Sequence, residues 1–542
     1  MTGDHLLEVR DLSVDFHTAG GTVHAVRNVN WHLGRGETLA ILGESGSGKS
    51  VSASAIMNLI DCPPGEIVSG EILFEGRDVL KMSQEERRDL NGRRIAMIFQ
   101  DPLSHLNPVY TVGFQIAEVM TTHGTPKAEA RTRVLDLLER VGIPEFETKI
   151  DAYPHQFSGG QRQRLMIAMA LALKPDILIA DEPTTALDVT VQAQVLELLE
   201  ELQQETGMGM LLITHDLGVV AETADRVVVM NSGEIVEAGT ARDVYHAPSH
   251  PYTRKLIGAV PGGGEMAQPL DTGIKPVLEV NRLSKHYGNF VALDKVSLTV
   301  LPGETVAVVG ESGSGKSTLA KTLLRLEEAT AGEALWEGRD LVTMGQAELF
   351  DLRRDIQMVF QDPTQSLNPR MSVHDIIAEA FVIHPQILPK SQWRDRVRDL
   401  LAHVGLEAAH MSRYRHQFSG GQRQRIAIAR ALALEPRLII CDEAVSALDV
   451  SIQAQVMGLL ADLQKEFGLS YLFIAHVLPV VRDFAHRVIV MKNGKIVEQG
   501  PVAQIFDAPR EDYTRNLIAA GLHPDPDIQA GRRAARLELQ GA

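Results

Sequence analysis

One glycine-rich sequence occurs twice in this chain, and each copy is followed by the same later sequences in the same order. Gly43–Ser50 reads GESGSGKS, and the same eight letters return at Gly310–Ser317, an offset of 267 between the lysines (316 − 49). The sequence FSGGQ at Phe157–Gln161 and the Asp-Glu pair at 181–182 both return at an offset of 261 (419 − 158 and 442 − 181). Repetition of a whole set in register predicts two modules of one kind joined head to tail.

Composition narrows the class of protein. The chain has 542 residues, which is too long for a single core, and 44% of the residues are hydrophobic, which is enough to fill globular cores. Its net charge of −17 argues against a general affinity for nucleic acid. The two cysteines, Cys62 and Cys441, are too few for a zinc module or an iron–sulfur cluster held by several thiolates. No window approaches ~20 apolar residues and Met1–Arg10 lacks the apolar run of a signal peptide, so we expect another chain to supply any membrane span.

Short apolar runs predict the fold of each half. Thr38–Leu42 and Thr305–Val309 lead directly into the two glycine loops, and a helical pattern follows each loop. Near-continuous hydrophobicity over four to six residues is typical of buried parallel strands, so each half predicts an α/β P-loop core. We expect a helical subdomain inserted in each core and an antiparallel β subdomain beside it. The predicted domain limits are 1–260 and 278–520, with a short linker at 261–277 and a tail at 521–542 that we expect to be mobile.

The glycine loop has a clear physical role. Its backbone N–H groups form a nest for phosphate oxygens, and the helix that follows presents its positive N-terminus. Lys49 and Lys316 would reach the β- and γ-phosphates of ATP, while Ser50 and Ser317 would hold Mg²⁺. The loop residues assigned to the nucleotide are Gly43, Ser45, Gly46, Gly48, Lys49 and Ser50, and in the second half Gly310, Ser312, Gly313, Gly315, Lys316, Ser317 and Thr318.

Acidic residues follow two of the predicted strands. Asp181 and Asp442 end apolar runs, where a carboxylate reaches a phosphate-bound Mg²⁺. Glu182 and Glu443 come next and are placed to act as general bases toward the attacking water; the alternative is a capping or solvent-facing acid.

Two further pairs of polar residues stand at predicted strand ends. Gln100 and Gln361 could contact both Mg²⁺ and the attacking water, or could be turn residues. His215 and His476 could hydrogen-bond the γ-phosphate, although an isolated histidine at such a place is more often a satisfied core residue.

The sequence SGGQ opens a predicted helix in each half. It can act as a helix cap with flexible glycines, or as a second phosphate clamp made of a hydroxyl, N–H groups and the helix dipole. Because each module already has one clamp, the second has a ligand only if another module supplies it. The residues concerned are Ser158, Gly159, Gly160 and Gln161, and Ser419, Gly420, Gly421 and Gln422.

Together with Ala186-Leu187-Asp188, these motifs resemble the ATP-binding subunits of ABC transporters, from about Leu7 to about Ala520. In that family two modules face each other head to tail, with ATP held between the glycine loop of one and the SGGQ signature of the other. The resemblance implies one site made of Lys49, Ser50, Gln100, Asp181, Glu182 and His215 with Ser419, Gly420 and Gly421, and another made of Lys316, Ser317, Gln361, Asp442, Glu443 and His476 with Ser158, Gly159 and Gly160. It also implies that Phe16 and Tyr287 stack on adenine, although either could be a core residue. The second half departs from the first in two places. It has Ala444-Val445 where the first half has Pro183-Thr184, and Val477 where the first half has Asp216. Both differences spare the phosphate contacts.

Two further segments narrow the resemblance. Gln100-Asp101-Pro102 with its repeat, and His250–Arg254 with its repeat at Asp512–Arg515, resemble the ATPases of oligopeptide, dipeptide and nickel importers, and the fused arrangement resembles glutathione-type and microcin-type importers. This implies two integral-membrane permease subunits, an extracytoplasmic solute-binding protein reached indirectly, and a peripheral location on the cytoplasmic face of the inner membrane. Many relatives carry a cysteine cluster after this segment; this chain has none, so we expect no iron–sulfur cluster.

The motifs leave two other functions open. A soluble, ribosome-associated ABC translation factor also carries paired modules, but its linker is usually long, charged and helical, unlike residues 261–276. A DNA-repair ABC ATPase would need zinc-binding cysteines and large insertions.

Overall fold

The computed structural model describes residues 5–18, 20–184, 187–270, 273–445 and 448–541. The chain forms two compact units. Unit 1 comprises Met1–Val260 together with Leu522–Ala542, and unit 2 comprises Pro261–Gly521.

Unit 1 contains two sheets. The central sheet has the order β10-β9-β3-β8-β7-β6, in which only β10 is antiparallel to its neighbour, and the second is an antiparallel sheet of order β2-β1-β4-β5. The strands are β1 Leu7–Thr18, β2 Gly21–Leu33, β3 Thr38–Leu42, β4 Gly65–Phe74, β5 Arg77–Asp78, β6 Ile95–Ile98, β7 Ile177–Asp181, β8 Gly209–Thr214, β9 Arg226–Asn231 and β10 Glu234–Thr240. The helices are α1 Lys49–Ile56, α2 Gln84–Leu90, α3 Pro102–His105, α4 Val112–Thr122, α5 Lys127–Arg140, α6 Phe146–Lys149, α7 Gly159–Leu171, α8 Val189–Thr206, α9 Leu217–Thr223, α10 Ala241–His246 and α11 Pro251–Gly258.

Unit 2 repeats this arrangement. Its central sheet has the order β16-β17-β18-β13-β19-β20 and its antiparallel sheet the order β12-β11-β14-β15. The strands are β11 Leu278–Tyr287, β12 Phe290–Val300, β13 Thr305–Val309, β14 Ala331–Trp336, β15 Arg339–Asp340, β16 Ile356–Val359, β17 Leu438–Asp442, β18 Ser470–Ile474, β19 Arg487–Lys492 and β20 Lys495–Pro501. The helices are α12 Lys316–Leu323, α13 Gln346–Leu352, α14 Pro363–Ser366, α15 Val373–Ile383, α16 Trp393–His403, α17 Gly420–Leu432, α18 Val450–Phe467, α19 Leu478–Phe484, α20 Val502–Asp507 and α21 Asp512–Ala520; a last helix, α22 Pro526–Gly541, returns to unit 1.

The central sheet is buried on both faces. All five residues of β3 are buried; Leu39 and Ile41 belong to the core shared with the antiparallel sheet, and Ala40 and Leu42 to the core shared with the helices. This alternation is what a strand with two covered faces requires. The predicted α/β fold is confirmed. The helical segment lies between β6 and α7 in unit 1, as helices α3–α6, and between β16 and α17 in unit 2, as helices α14–α16. Each unit also has the predicted antiparallel sheet.

The topology places the predicted functional residues at one edge of the sheet. Strands β3, β8 and β7 are adjacent and parallel, so their carboxyl ends lie side by side. The glycine loop follows β3, Glu182 follows β7, and His215 follows β8. In open α/β sheets such an edge is where ligands bind.

The expectation of a mobile tail is wrong. Helix α22 packs against unit 1, where the guanidinium of Arg536 pairs with the carboxylates of Glu222 and Glu197, each at 2.6 Å. Arg533 also pairs with Glu200. From the sequence alone these arginines look solvent-exposed, because the carboxylates that pair with them lie more than 300 residues earlier in the chain and are not apparent from neighbouring residues.

The linker begins in contact with unit 2. The backbone N–H of Gly262 donates to Asp483 at 2.5 Å, and Arg482 donates to the carbonyl of Gly262 at 2.7 Å. Among the helices that the structure describes, none is both long and apolar enough to cross a lipid bilayer.

Candidate nucleotide site

Two glycines of the first loop, Gly43 and Gly48, are required by close backbone contacts. A Cβ at Gly43 would lie 2.3 Å from the carbonyl oxygen of Met230, and one at Gly48 would lie 2.3 Å from the carbonyl oxygen of Ala25. Gly48 also has φ 99°, a conformation that other residues rarely adopt. The loop is thereby held against two strands, and its backbone opens a concave cradle before α1.

The loop lysines are buried and already hydrogen-bonded within the cradle. Lys49 is 5% exposed, and its ammonium donates to the carbonyl oxygens of Gly43 at 2.7 Å and Glu44 at 2.9 Å. Lys316 repeats these bonds in unit 2 at 2.8 Å each. The buried hydroxyl of Ser47 has no hydrogen-bond partner among the residues that the structure describes. A buried positive charge beside an unpaired hydroxyl fits an anionic, phosphate-like ligand.

A hydroxyl and a carboxylate meet beside each loop. Ser50 donates to Asp181 at 3.1 Å, and Ser317 donates to Asp442 at 3.0 Å. Burial raises the pKa of Asp181 to about 6, against the hydrogen bond from Ser50, which lowers it. Burial likewise raises the pKa of Asp442. Two adjacent oxygen donors, one of them a carboxylate whose charged form a nearby cation would stabilise, fit Mg²⁺.

Glu182 is oriented by two neighbours. Its carboxylate accepts from Gln100 at 2.6 Å and contacts the Nδ1 of His215 at 2.9 Å. Its backbone lies in the left-handed region, with φ 48°, and its N–H donates to the carbonyl of Ile213 on β8. The carboxylate is thus fixed directly beyond the strand end, 11% exposed.

Unit 2 has the same constellation. Glu443 has φ 49° and accepts from Gln361 at 2.6 Å, and His476 contacts its other carboxylate oxygen. The two units differ next to the histidine. Asp216 caps α9 by accepting from Gly218 at 2.8 Å, whereas Val477 provides no side-chain cap for α19.

The SGGQ sequences begin α7 and α17 as capping boxes. Ser158 accepts from the N–H of Gln161 at 3.3 Å, and the side chain of Gln161 accepts from the N–H of Ser158 at 3.1 Å. Ser419 and Gln422 form the same pair in unit 2. Ser158 and Gly159 are exposed, as are their counterparts, so the helix cap also leaves a hydroxyl and a helix N-terminus at the surface.

The second glycine of each signature has a packing reason. A Cβ at Gly160 would lie 2.6 Å from Val191, and one at Gly421 would lie 2.3 Å from Ile452. These glycines let α7 and α17 begin close to the helix that follows β7 or β17.

The two aromatic residues differ in exposure. Phe16 is half-buried against the core of the antiparallel sheet, while Tyr287 is 43% exposed, with the Lys285 ammonium 4.7 Å from its ring centroid. Ala186, part of the Ala-Leu-Asp motif, lies outside the described residues.

Sequence reasoning missed two contacts to the loops. The hydroxyls of Tyr252 and Tyr513 accept hydrogen bonds from the backbone N–H groups of Glu44 and Glu311, each at 3.3 Å. The repeated Tyr-Thr-Arg segment could have drawn attention to these tyrosines, but its letters are also ordinary for the start of a helix.

A phosphate cradle, an oxygen pair suited to a divalent cation and an oriented carboxylate, all at the carboxyl edge of a parallel sheet, define a P-loop nucleotide-hydrolysing protein. The "ABC transporter" family profile matches residues 26–185 and 293–446, and the profile "Oligopeptide/dipeptide transporter, C-terminal region" matches residues 236–285 and 497–540. The chain belongs to the ABC transporter family, and it is an ATP-binding ABC ATPase.

Known proteins resemble the chain along nearly its whole length. It is 48% identical to the glutathione import ATP-binding protein GsiA of Shigella dysenteriae serotype 1, covering 98% of this chain and 91% of that protein. It is 50% identical to the peptidoglycan transport ATP-binding protein YejF of Agrobacterium fabrum strain C58, covering 96% of each. Among solved structures, cbiO1 of Clostridium perfringens, part of the ABC transporter complex cbiONQ, is 30% identical over 43% of this chain and 91% of its own, with a TM-score of 0.40.

Proposed function

We propose that this chain is the subunit that couples ATP hydrolysis to import of peptides or related small solutes through two membrane permease subunits. Two observations together support the proposal. The loop lysine, the serine–aspartate pair and the oriented glutamate are present in both units, and the oligopeptide/dipeptide C-terminal profile also matches twice. The names of the relatives, which include glutathione import and peptidoglycan transport, support a peptide-like cargo. The chain would then act at the cytoplasmic face of the inner membrane, and a solute-binding protein outside would be reached through the permeases.

Each site is equipped to activate a water molecule. The loop and Lys49 would hold the phosphates of ATP, and Ser50 with Asp181 would hold Mg²⁺. When bound, the cation would draw charge from the phosphate oxygens. Glu182, steadied by Gln100 and His215, would accept the proton of the water that attacks the γ-phosphate, giving ADP and phosphate. Lys316, Ser317, Asp442 and Glu443 would do the same in unit 2.

We further propose that each site is completed by the other unit. The start of α17 at Ser419, Gly420 and Gly421, where Ser419 and Gly420 are exposed, would close on the ATP held by Lys49. The start of α7 at Ser158, Gly159 and Gly160 would close on the ATP held by Lys316. A hydroxyl and a helix N-terminus suit a γ-phosphate, and their exposure in each unit is consistent with this role.

An apolar cleft next to each glutamine suits a permease loop. In unit 1 the cleft is lined by Met97, Phe99, Leu106 and Met166, directly before Gln100. Its counterpart in unit 2, directly before Gln361, is lined by Leu324, Phe350, Met358 and Phe360, and also by the charged residues Arg353, Glu379 and Arg430. A docked loop would therefore move with the segment that joins the strand to the glutamine, which is how nucleotide state would reach the membrane.

Purification from membranes tests this function. The tagged chain, extracted from detergent-solubilised membranes of its host, should retain two hydrophobic permease subunits and show ATPase activity. Retention of ribosomal proteins in place of permeases would instead favour the translation factor, which no comparison supports. The cargo can be identified by isolating the partner binding protein and determining its bound small molecule by mass spectrometry.

A further inference from the structure

A tyrosine hydroxyl contacts the same point of the phosphate loop in both units. Tyr252 accepts from the backbone N–H of Glu44, and Tyr513 accepts from the backbone N–H of Glu311, both at 3.3 Å. Glu44 and Glu311 are the second residues of their loops, two positions before the first inner glycine. The contact is made by helices α11 and α21, which lie more than 200 residues away in sequence.

Each tyrosine is carried by a helix whose start is anchored to the hairpin strand before it. In unit 1, Glu237 on β10 accepts from the backbone N–H groups of Ser249 at 2.7 Å and His250 at 3.1 Å. Burial favours a higher pKa for Glu237, but the hydrogen bonds that it accepts outweigh this and lower its pKa to about 2. The carboxylate is therefore charged at any physiological pH and holds the helix start as an ionised acceptor.

Unit 2 has the same anchor built from different residues. Glu498 on β20 accepts from the backbone N–H groups of Arg510 at 2.9 Å and Glu511 at 3.1 Å, and its pKa is also lowered against the effect of burial. Here the Lys492 ammonium lies 4.3 Å from the ring centroid of Tyr513. The geometry is thus kept although the residues before the tyrosine differ.

The same hairpin also contacts the loop directly. The N–H of Gly233, in the turn between β9 and β10, donates to the carbonyl of Ser47 at 3.1 Å, and Gly494 donates to Ser314 at 3.0 Å. The hairpin and the helix anchored to it therefore hold each loop at two points: near the middle through the hairpin turn, and near the beginning through the tyrosine of the helix. A nest of N–H groups binds phosphate well only when its backbone is fixed beforehand.

We propose that Tyr252 and Tyr513 are positioning residues for the phosphate loops, and that the hairpin, its glutamate and the following helix form a bracket that sets the affinity of each loop for nucleotide phosphates. The tyrosines act through the loop backbone and touch no reacting atom. The N–H groups of the loop hold the phosphates that ATP and ADP share, and these phosphates are held alike before and during hydrolysis. The bracket therefore contributes equally to the ground state and the transition state, so its loss raises KM and leaves kcat unchanged.

The test is the double variant Tyr252→Phe plus Tyr513→Phe, which removes both hydroxyls and keeps both rings. KM for MgATP should rise about three- to tenfold, as expected for one net hydrogen bond at each loop, with kcat changed less than about twofold. The dissociation constant for MgADP, measured by calorimetry, should rise by the same factor. The matched control is Tyr471→Phe, which removes a buried hydroxyl that donates to the carbonyl of Leu460 at 3.0 Å, away from the loop; its KM should stay at the wild-type value.

Two results would overturn the proposal. The first is an unchanged KM and an unchanged MgADP affinity in the double variant. The second is a lower kcat or melting temperature with unchanged KM, which indicates a merely structural role. If the double variant does not fold, the two single variants decide by the same measurements. These measurements use the isolated chain and its ATPase activity, so they stand apart from the identity of the permeases or the cargo.

Discussion

The ion pairs of the C-terminal helix α22 give the most direct stability prediction. The side chain of Arg536 is 5% exposed and lies between Glu222, 2% exposed, and Glu197, 17% exposed. Gln529 on the same helix also donates to Glu222. The perturbation is Arg536→Ala, which leaves a buried carboxylate without its cation.

The magnitude follows from burial. Removing one partner of a buried ion pair costs about 3–5 kcal/mol when the remaining charge stays buried. This chain has a cheaper alternative, because α22 follows unit 2 in sequence and is not part of the sheets of unit 1. It can therefore leave unit 1, which returns Glu222 to water. The loss is therefore limited to the free energy that docks α22, and we expect the helix to detach while the rest of unit 1 stays folded.

The assay is limited proteolysis combined with hydrogen exchange. Arg536→Ala should expose residues 522–541 to cleavage at protease levels that leave the wild type intact, and amide exchange should rise in α22 and in α9, which it covers. The control is Arg131→Ala: Arg131 is 63% exposed, 3.7 Å from Asp151, so its loss should change stability by less than about 1 kcal/mol and leave the tail protected. Unchanged cleavage and exchange in Arg536→Ala would show that the buried pair does not hold the helix.

Three further predictions concern the nucleotide sites. Glu182→Gln combined with Glu443→Gln should trap ATP and lower turnover at least ~10²-fold; near-normal phosphate release would exclude these residues as the bases. Gly48→Ala should abolish binding in the first site, because its Cβ would lie 2.3 Å from a carbonyl oxygen, whereas Gly36→Ala, also at positive φ but in open space, should leave MgADP titrations unchanged. Burial raises the pKa of Asp181 from 3.8 to about 6, so the folded state holds its proton more tightly than the unfolded state, and stability falls as pH rises between these values. Asp181→Asn should remove this pH-dependent contribution to folding stability, which is at most roughly 3 kcal/mol. If the melting temperatures of variant and wild type change identically with pH between about 4 and 7, the raised pKa of Asp181 is wrong.

Local sequence was enough to predict the α/β core and the surroundings of the phosphate loop. The strand β3 is fully buried and leads into a loop in which Gly43 and Gly48 each lie against a backbone carbonyl, so composition and conformation agree. The position of Glu182 after β7 also followed from the sequence, because parallel strands bring their carboxyl ends together.

Interactions between distant segments could not be predicted in this way. Arg536 looks like a solvated charge until Glu222 is placed beside it, and Tyr252 looks like a helix-start residue until its hydroxyl is found against Glu44. The contacts of Gln100 and His215 with the carboxylate of the same glutamate were equally hidden, although the sequence indicates each of the two residues separately. What the sequence lacks in these cases is the partner, which only the folded chain supplies.

The return of α22 to unit 1 has a consequence for synthesis on the ribosome. The chain leaves unit 1 after Val260, builds unit 2 through Gly521, and only then delivers the helix that covers Glu222. At about 5–20 residues per second, the intervening stretch of about 260 residues takes roughly 13–50 s to translate. During that time Glu222 of the nascent first unit is not covered by α22, so unit 1 is completed only after unit 2 has been synthesised.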